Sequence, residues 1–171
     1  MNADQFYTEI KSLKPQLEDF NDYSLEFAQG YIDDMYIEPW SEPYGCRPEN
    51  PVLDLIGRYD LSSLCIQVFE FFKPDDVGEN EKFIYFGNKE GSPLAIEKAT
   101  GQIVEMDPDE EFIICYIAMD ESHFLDFLVA LEKLNQLWTF HGMTDEERYE
   151  ELLKLLPILG GDKYAHGIED L

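Results

Sequence analysis

An α+β fold with an antiparallel sheet is what this sequence predicts, on three observations. Apolar residues recur at helical spacing near the start, at Phe6, Ile10, Leu13, Leu17 and Phe20. The same spacing returns after residue 120, at Phe124, Phe127, Leu128, Leu131, Leu134 and Trp138. Between them lie short runs rich in β-formers, separated by glycine, proline and charged residues. Helices kept to the two ends of a strand-rich middle make an α+β protein, whereas alternating strand and helix would make a parallel sheet. The expectation is a sheet of about five to six strands flanked by N- and C-terminal helices.

The elements follow in order. The first helix is expected over residues 4–20, kinked or divided by Pro15. A second helical piece, Tyr23 to Met35, sets Ala28, Tyr31 and Met35 on one side. Residues 38–51 hold Pro39, Pro43, Gly45, Pro48 and Pro51, which reads as an irregular connection. Leu64 to Phe72 reads as one strand, and Lys73 to Glu81 as a charged turn. Lys82 to Phe86 is a second strand, ended by Gly87-Asn88. Pro93 to Glu97 and Gln102 to Met106 form a hairpin around Ala99-Thr100-Gly101. Glu111 to Ala118 is almost continuously apolar, so a central strand buried on both faces is expected. A helix runs from about Ser122 to Leu137, capped by Ser122 or Asp120. The pattern Thr144-Asp145-Glu146-Glu147 is a capping box. It opens a last helix with Tyr149, Leu152, Leu153 and Leu156 on one face, stopped by Pro157 and Gly160-Gly161. The division expected is one domain over 1–143, with a helical extension over 144–171 packed on it.

Composition narrows the function classes. The 171 residues carry 37 Asp and Glu against 12 Lys and Arg, a net charge of −25. With 44% hydrophobic and 14% aromatic residues, the chain can bury a core, so the charge does not signal disorder. The acidic excess is spread along the whole sequence. Nucleic acid and anionic membrane are excluded as partners, because both need Lys and Arg to displace counterions. The charge reads as solubility, as in most acidic proteins, or as the mark of a basic protein partner steered in by long-range attraction. Cys46, Cys65 and Cys115 are odd in number and far apart, which is no disulfide framework. Cys65 and Cys115 lie in apolar runs and read as buried small hydrophobes. The start of the sequence has neither a basic nor an apolar leader segment, and a cytoplasmic protein is expected.

The search for chemistry finds little. Nucleotide-binding, nucleophile-elbow and zinc-protease motifs are absent from the sequence. Gly87 to Ser92 lacks phosphate-loop spacing and precedes a strand. His123, His141 and His166 have no zinc-ligand spacing, and His123 beside Asp120 reads as a surface pair. An EF-hand counted from Asp107 needs Gly and Glu where Phe112 and Ala118 stand. No cofactor, metal or catalytic residue is assigned, and an enzyme is not expected.

The order of segments from Lys82 to Leu134 is more specific. Phe83-Ile84-Tyr85-Phe86-Gly87-Asn88 is followed by Gly91-Ser92-Pro93-Leu94-Ala95-Ile96-Glu97 and by Ala99-Thr100-Gly101-Gln102-Ile103-Val104. An acidic loop, an apolar strand and Asp120-Glu121-Ser122-His123-Phe124-Leu125-Asp126-Phe127-Leu128 come next. This order, over roughly a third of the chain, resembles the SUKH superfamily, which includes a yeast cell-wall-synthesis regulator and many bacterial immunity proteins. The resemblance implies a non-catalytic α+β binding protein, with Gly87 ending a strand and Ser122 capping a helix. It further implies a bacterial cytoplasmic immunity factor that neutralises a cognate toxin, of nuclease or deaminase type, by direct binding. The alternatives are a regulatory or scaffold module of the same fold, binding an endogenous protein, and a small carboxylate-dependent hydrolase. The hydrolase requires a deep pocket lined by acids of raised pKa. The contact surface expected for a basic partner is two acidic loops, Asp75, Asp76 and Glu79 in one, and Glu105, Asp107, Asp109, Glu110 and Glu111 in the other. Trp40 or Tyr44 could supply an aromatic anchor.

Overall fold

Pro15 ends the first helix. The computed structural model describes residues 1–110, 112–168 and 171, and in it α1 spans Ala3–Leu13. Its start is tied by a reciprocal cap, in which Asn2 Oδ1 accepts from the Gln5 amide at 3.0 Å and Gln5 Oε1 from the Asn2 amide at 2.9 Å. A short 3₁₀ turn, Leu17–Asp19, takes up the rest of the expected helix. The second helix, α2, spans Leu25–Asp34 and is capped by Ser24. Ala28 and Met35 are buried and Tyr31 half-buried, so the expected side does face inward.

Residues 38–51 are less irregular than expected. Strand β1, Glu38–Pro39, pairs antiparallel with β2, Tyr59–Asp60. Between them α3 runs from Pro51 to Arg58, with Asn50 as its cap and Pro51 in its first turn. This helix escaped the periodicity although Val52, Leu53, Leu55 and Ile56 are all buried. The helix is only eight residues long, too short for its stripe, set against Asp54 and Arg58, to repeat.

The main sheet is antiparallel throughout, in the order β3 (Cys65–Ile66), β4 (Phe69–Phe71), β6 (Phe83–Lys89), β7 (Ser92–Glu97), β8 (Ile103–Met106) and β9 (Ile113–Ala118), with β5 (Gly78–Glu79) added beside β6. The expected strand Leu64 to Phe72 is instead a tight hairpin, β3 at Cys65–Ile66 and β4 at Phe69–Phe71. In a single strand Ile66 and Phe69 would point to opposite faces. As cross-strand partners in the hairpin they share one, and both are buried under the helices. Strand β5 is Gly78–Glu79, inside the expected charged turn. Strand β6, Phe83–Lys89, runs straight through Gly87-Asn88, so Gly87 does not end a strand. It stands opposite Phe71 at a break in register, where a Cβ would lie 2.2 Å from the Glu70 carbonyl oxygen. A missing side chain, and not a turn, is what this glycine supplies. Strands β7, Ser92–Glu97, and β8, Ile103–Met106, form the expected hairpin, with Gly101 at φ +76°.

Strand β9, Ile113–Ala118, is not central. It closes the order at one edge, and Ile114 is exposed. The pairing jumps from Met106 with Ile113 to Glu105 with Cys115, which leaves Ile114 as a bulged residue pointing out. The apolar run arises partly from that bulge and partly from the 3₁₀ segment Asp162–Ile168, which packs along the strand.

Helix α4, Glu121–Phe140, lies across the inner face of the sheet. Its cap is Asp120, whose Oδ1 accepts from the His123 amide at 2.9 Å; Ser122 is not the cap but lies in the first turn. Phe124 and Phe127 meet Phe69 edge-on, at centroid distances of 5.7 and 6.2 Å, and Phe86 meets Phe124 at 5.7 Å. Phe6 of α1 reaches Phe71 at 6.3 Å. A smaller cluster, Phe83, Ala95, Val104 and Met106, occupies the opposite face. The last expected helix is two pieces, α5 at Asp145–Leu153 and α6 at Leu156–Leu159. The Thr144–Glu147 capping box is present. Of α5 only Leu152 is buried, while Tyr149 and Leu153 are exposed. Pro157 lies in the first turn of α6, where its missing N–H costs nothing, and Gly160 at φ +112° ends that helix. No helix among the described residues is long and apolar enough to cross a membrane.

Two glycine substitutions separate close approach from helix propensity. Gly87→Ala drives a methyl group into the β4 backbone and is expected to cost more than about 3 kcal/mol in urea denaturation. Gly30→Ala, in α2 with open space around it, is expected to add about 0.5–1 kcal/mol.

Candidate functional site

The two acidic loops expected to form one surface lie at opposite ends of the sheet. Glu79 pairs with Ile84 near the Phe83 end of β6, whereas the turn after Met106 lies toward the Lys89 end. Asp75 and Asp76 are exposed in a 3₁₀ turn. Glu79 is exposed but already neutralised, by Lys98 at 3.2 Å and by Arg47 at 4.0 Å. Tyr44 comes to this end, where it lines a depression of about 150 Å³ with Arg47, Pro74 and Val77. Trp40 is half-buried and gives its indole N–H to the Ile56 carbonyl at 3.1 Å. In the other loop, Asp109 and Glu110 are exposed, and Asp107 Oδ1 accepts both of their amides, at 2.8 and 2.7 Å. Glu111 lies outside the described residues.

Glu105 is not a loop residue at all. It stands in β8 opposite Leu94, on the helix-covered face, and pairs with Lys89 Nζ at 3.1 Å, both side chains buried. An ion pair so enclosed holds strand positions together and offers no charge to a partner.

A better-built site lies where α2, the β3–β4 hairpin and α4 meet. Phe27, Tyr31 and Asp34 come from α2 and Met35 from just past its end, Cys65 and Gln67 from the hairpin, and Glu132, Asn135, Trp138 and Thr139 from α4. Together they line a cavity of about 240 Å³. The Glu132 carboxylate is at its base, almost fully buried. It accepts from the Tyr31 hydroxyl at 2.8 Å, from Gln136 Nε2 at 3.1 Å and from Asn135 Nδ2 at 3.4 Å. Burial raises its pKa above the usual carboxylate range, and the three donors offset only part of that. Burial and the neighbouring carboxylate likewise push the Tyr31 phenol up. Asn135 is buried, and its Oδ1 has no hydrogen-bond partner among the described residues.

The mouth is acidic and aromatic. Asp33, Asp34 and Glu70 gather around a second depression that shares Asp34 and Cys65 with the cavity. Burial, then Asp33, then Glu70 raise the Asp34 pKa. Burial, Glu70 and Asp34 raise the Cys65 thiol to about 11. Cys65 and Cys115 are only half-buried, not the enclosed hydrophobes expected, and the Cys65 thiol donates to the Gln67 carbonyl at 3.1 Å. Gln67 itself has φ +57°, a left-handed value that costs a non-glycine residue about 1–2 kcal/mol. None of Asp33, Asp34 and Glu70 enters an ion pair among the described residues. Phe27 and Trp138, which line the cavity with Asp34, are exposed, as is Tyr23. The Tyr23 and Phe27 rings stack at 4.8 Å, backed edge-on by Phe20 and Phe140.

This site was legible at one position. Asn135 stands four residues after Leu131 and seven after Leu128, on the apolar stripe of α4, where a polar residue must find a partner or serve one. Attention to the stripe's apolar members passed it over. The Asp33–Asp34 pair had no sequence signal among 37 acids, because Glu70 reaches it only through the hairpin.

The pH dependence of Glu132 follows from its raised pKa. The folded protein holds this proton more tightly than the unfolded chain, so the stability it contributes is present below the ordinary Glu value and is lost as pH rises through the folded value. Glu132→Gln keeps the contacts, with Asn135 turning its amide over to offer Oδ1 to the new amide. Relative to the native chain it is expected to gain stability from about pH 4 to about pH 7 in urea melts. Glu132→Ala strands the Tyr31 hydroxyl and is expected to cost about 2–4 kcal/mol.

Comparison with protein-family models, with curated proteins and with solved structures finds no match for this chain.

Proposed function

We propose that this chain is a non-catalytic binding protein that captures a basic protein partner on the face built by α2, the β3–β4 hairpin and the C-terminal half of α4. The observation that carries the reading is the cluster of Asp33, Asp34 and Glu70, without counter-cations among the described residues and joined through Asp34 to a cavity that the exposed Phe27 and Trp138 line. Like charges held together raise each other's energy, and a cationic surface laid over them removes that cost. Aromatic residues beside such a cluster are the residue types that anchor protein interfaces. The net charge of −25 supplies long-range steering.

Within this class, the resemblance of Lys82 to Leu134 to the SUKH pattern supports an immunity protein that neutralises a nuclease- or deaminase-type toxin in the cytoplasm of the producing cell. Toxins that act on nucleic acid carry basic surfaces, the complement of this face. A regulatory module binding an endogenous basic protein uses the same surface. A hydrolytic reading is favoured by one observation, the raised carboxylates Asp34 and Glu132 lining one cavity. Against it, three donors already hold Glu132 as an acceptor.

Gene neighbourhood tests the immunity reading. An adjacent frame encoding a secretion leader and a basic C-terminal domain should be toxic alone and rescued by co-expression of this chain. Binding of that domain, followed by stopped flow, is expected to slow steeply as salt rises from about 50 to about 500 mM, with most of the loss in association rate. Reversing charge with Asp33→Lys and Asp34→Lys together is expected to lower the association rate about tenfold. An affinity indifferent to salt would falsify the steering.

A further inference from the structure

Three features of the cavity between α2, the hairpin and α4 say what would enter it, and the inference rests on the docking reading above. The first is hydrogen-bond sign. An ionised carboxylate offers about four lone-pair positions. Glu132 uses three, for Tyr31, Gln136 and Asn135. Asn135 Oδ1 accepts nothing among the described residues although the side chain is only 4% exposed. Asp34 adds a carboxylate at the mouth. Acceptors are in excess, so the complement is a group that only donates.

The second feature is the aromatic lining of Phe27, Tyr31 and Trp138. A flat cation stacks on such rings. Trp138 already does this within the molecule, with the Arg148 guanidinium carbon 4.9 Å from its ring centre. Its indole N–H is tied to Asp145 Oδ1 at 2.9 Å, which fixes the ring's orientation. The third feature is size. At about 240 Å³ the cavity is smaller than the ~300–1,000 Å³ of sites that hold whole small-molecule ligands, and it suits one side chain.

We propose that this cavity receives the guanidinium of a single arginine side chain presented by the basic partner. A planar guanidinium brings five donors and no acceptor; Asn135 Oδ1 is enclosed, so a turn of that side chain brings it to the cavity wall, where the guanidinium satisfies it and the remaining Glu132 position while stacking on the aromatic wall. An ammonium has fewer donors and no flat face. Asp34 lines the cavity and Asp33 and Glu70 line the depression that adjoins it, and the three guide the cation inward.

The test uses the full chain and N-acetyl-arginine methylamide, with the lysine and citrulline amides as comparisons. Saturable chemical-shift changes at the Trp138 indole N–H and the Asn135 side-chain amide are expected with arginine, weaker ones with lysine, and none with neutral citrulline. Asn135→Leu should weaken arginine binding at least tenfold while leaving the unfolding midpoint near that of the native chain, since the loss of an unpartnered buried acceptor offsets the loss of a donor to Glu132. Phe27→Ala, at a residue 45% exposed where folding is not at risk, should weaken it severalfold. Shifts that never saturate, or that follow citrulline as well as arginine, overturn the proposal. So does native-strength arginine binding in both variants. Salt-dependent capture of a basic domain that is unchanged in both variants leaves the docking face standing and removes the arginine pocket. Saturable arginine binding without capture of such a domain does the reverse.

Discussion

The contact between α4 and the sheet, where Phe124 and Phe127 pack edge-on against Phe69 and Phe86, sets the position of most other elements. Helices α1, α3, α5 and α6 all pack on α4, and the sheet is covered where α4 crosses it. A single truncation among these rings would leave a cavity costing about 3–5 kcal/mol, a large part of the stability of a domain this size. The same helix also carries Glu132 and Asn135, about one to two turns beyond Phe127. So the element that organises the core also delivers the buried polar pair. The apolar half of α4 fixes where that pair lies, to within the tolerance of close packing.

What could be read from the sequence was what repeats. The helical stripes of α1 and α4, the hairpin around Gly101 and the Thr144–Glu147 cap each state a local rule several times over. What could not be read depends on partners distant in sequence. The β3–β4 hairpin turns at Gln67, a residue with no turn preference, because Ile66 and Phe69 must face α4 together. Tertiary packing overrides local conformational cost there. Gly87 looked like punctuation and is a clearance, a distinction visible only once Glu70 lies beside it. Strand β9 looked central because its bulge and its cover are both non-local. Of the candidate contact residues, the acidic character of Asp75, Asp76, Asp109 and Glu110 says only that they face water. Glu105 shows how little composition reveals about which carboxylates are enclosed.

Charge works at two ranges in this molecule. Near at hand, enclosed carboxylates are held by specific partners, Glu105 by Lys89 and Glu132 by Tyr31, Gln136 and Asn135. Farther out, 37 acids against 12 basic residues leave a field that nothing within the chain cancels. The first kind specifies the fold and is little affected by salt. The second fades beyond about 8 Å at physiological ionic strength and acts on whatever approaches. The Asp33, Asp34 and Glu70 cluster stands between these regimes, with Asp34 partly desolvated and no counter-cation among the described residues.

The cover over β9 has a consequence during synthesis. The 3₁₀ segment Asp162–Ile168 is made after everything it packs against. At translation rates of about 5–20 residues per second, the sheet and α4 can assemble for seconds before that segment clears the ribosome. Over that interval the outermost strand, around Tyr116 and Ile117 where Gly167 later packs, is open to neighbouring nascent chains. The bulge at Ile114 breaks the regular row of its backbone groups, and the acidic residues of the preceding turn repel a second copy approaching along it. Polysomes making this chain at high density would thus be protected by features that do nothing for the finished sheet's stability.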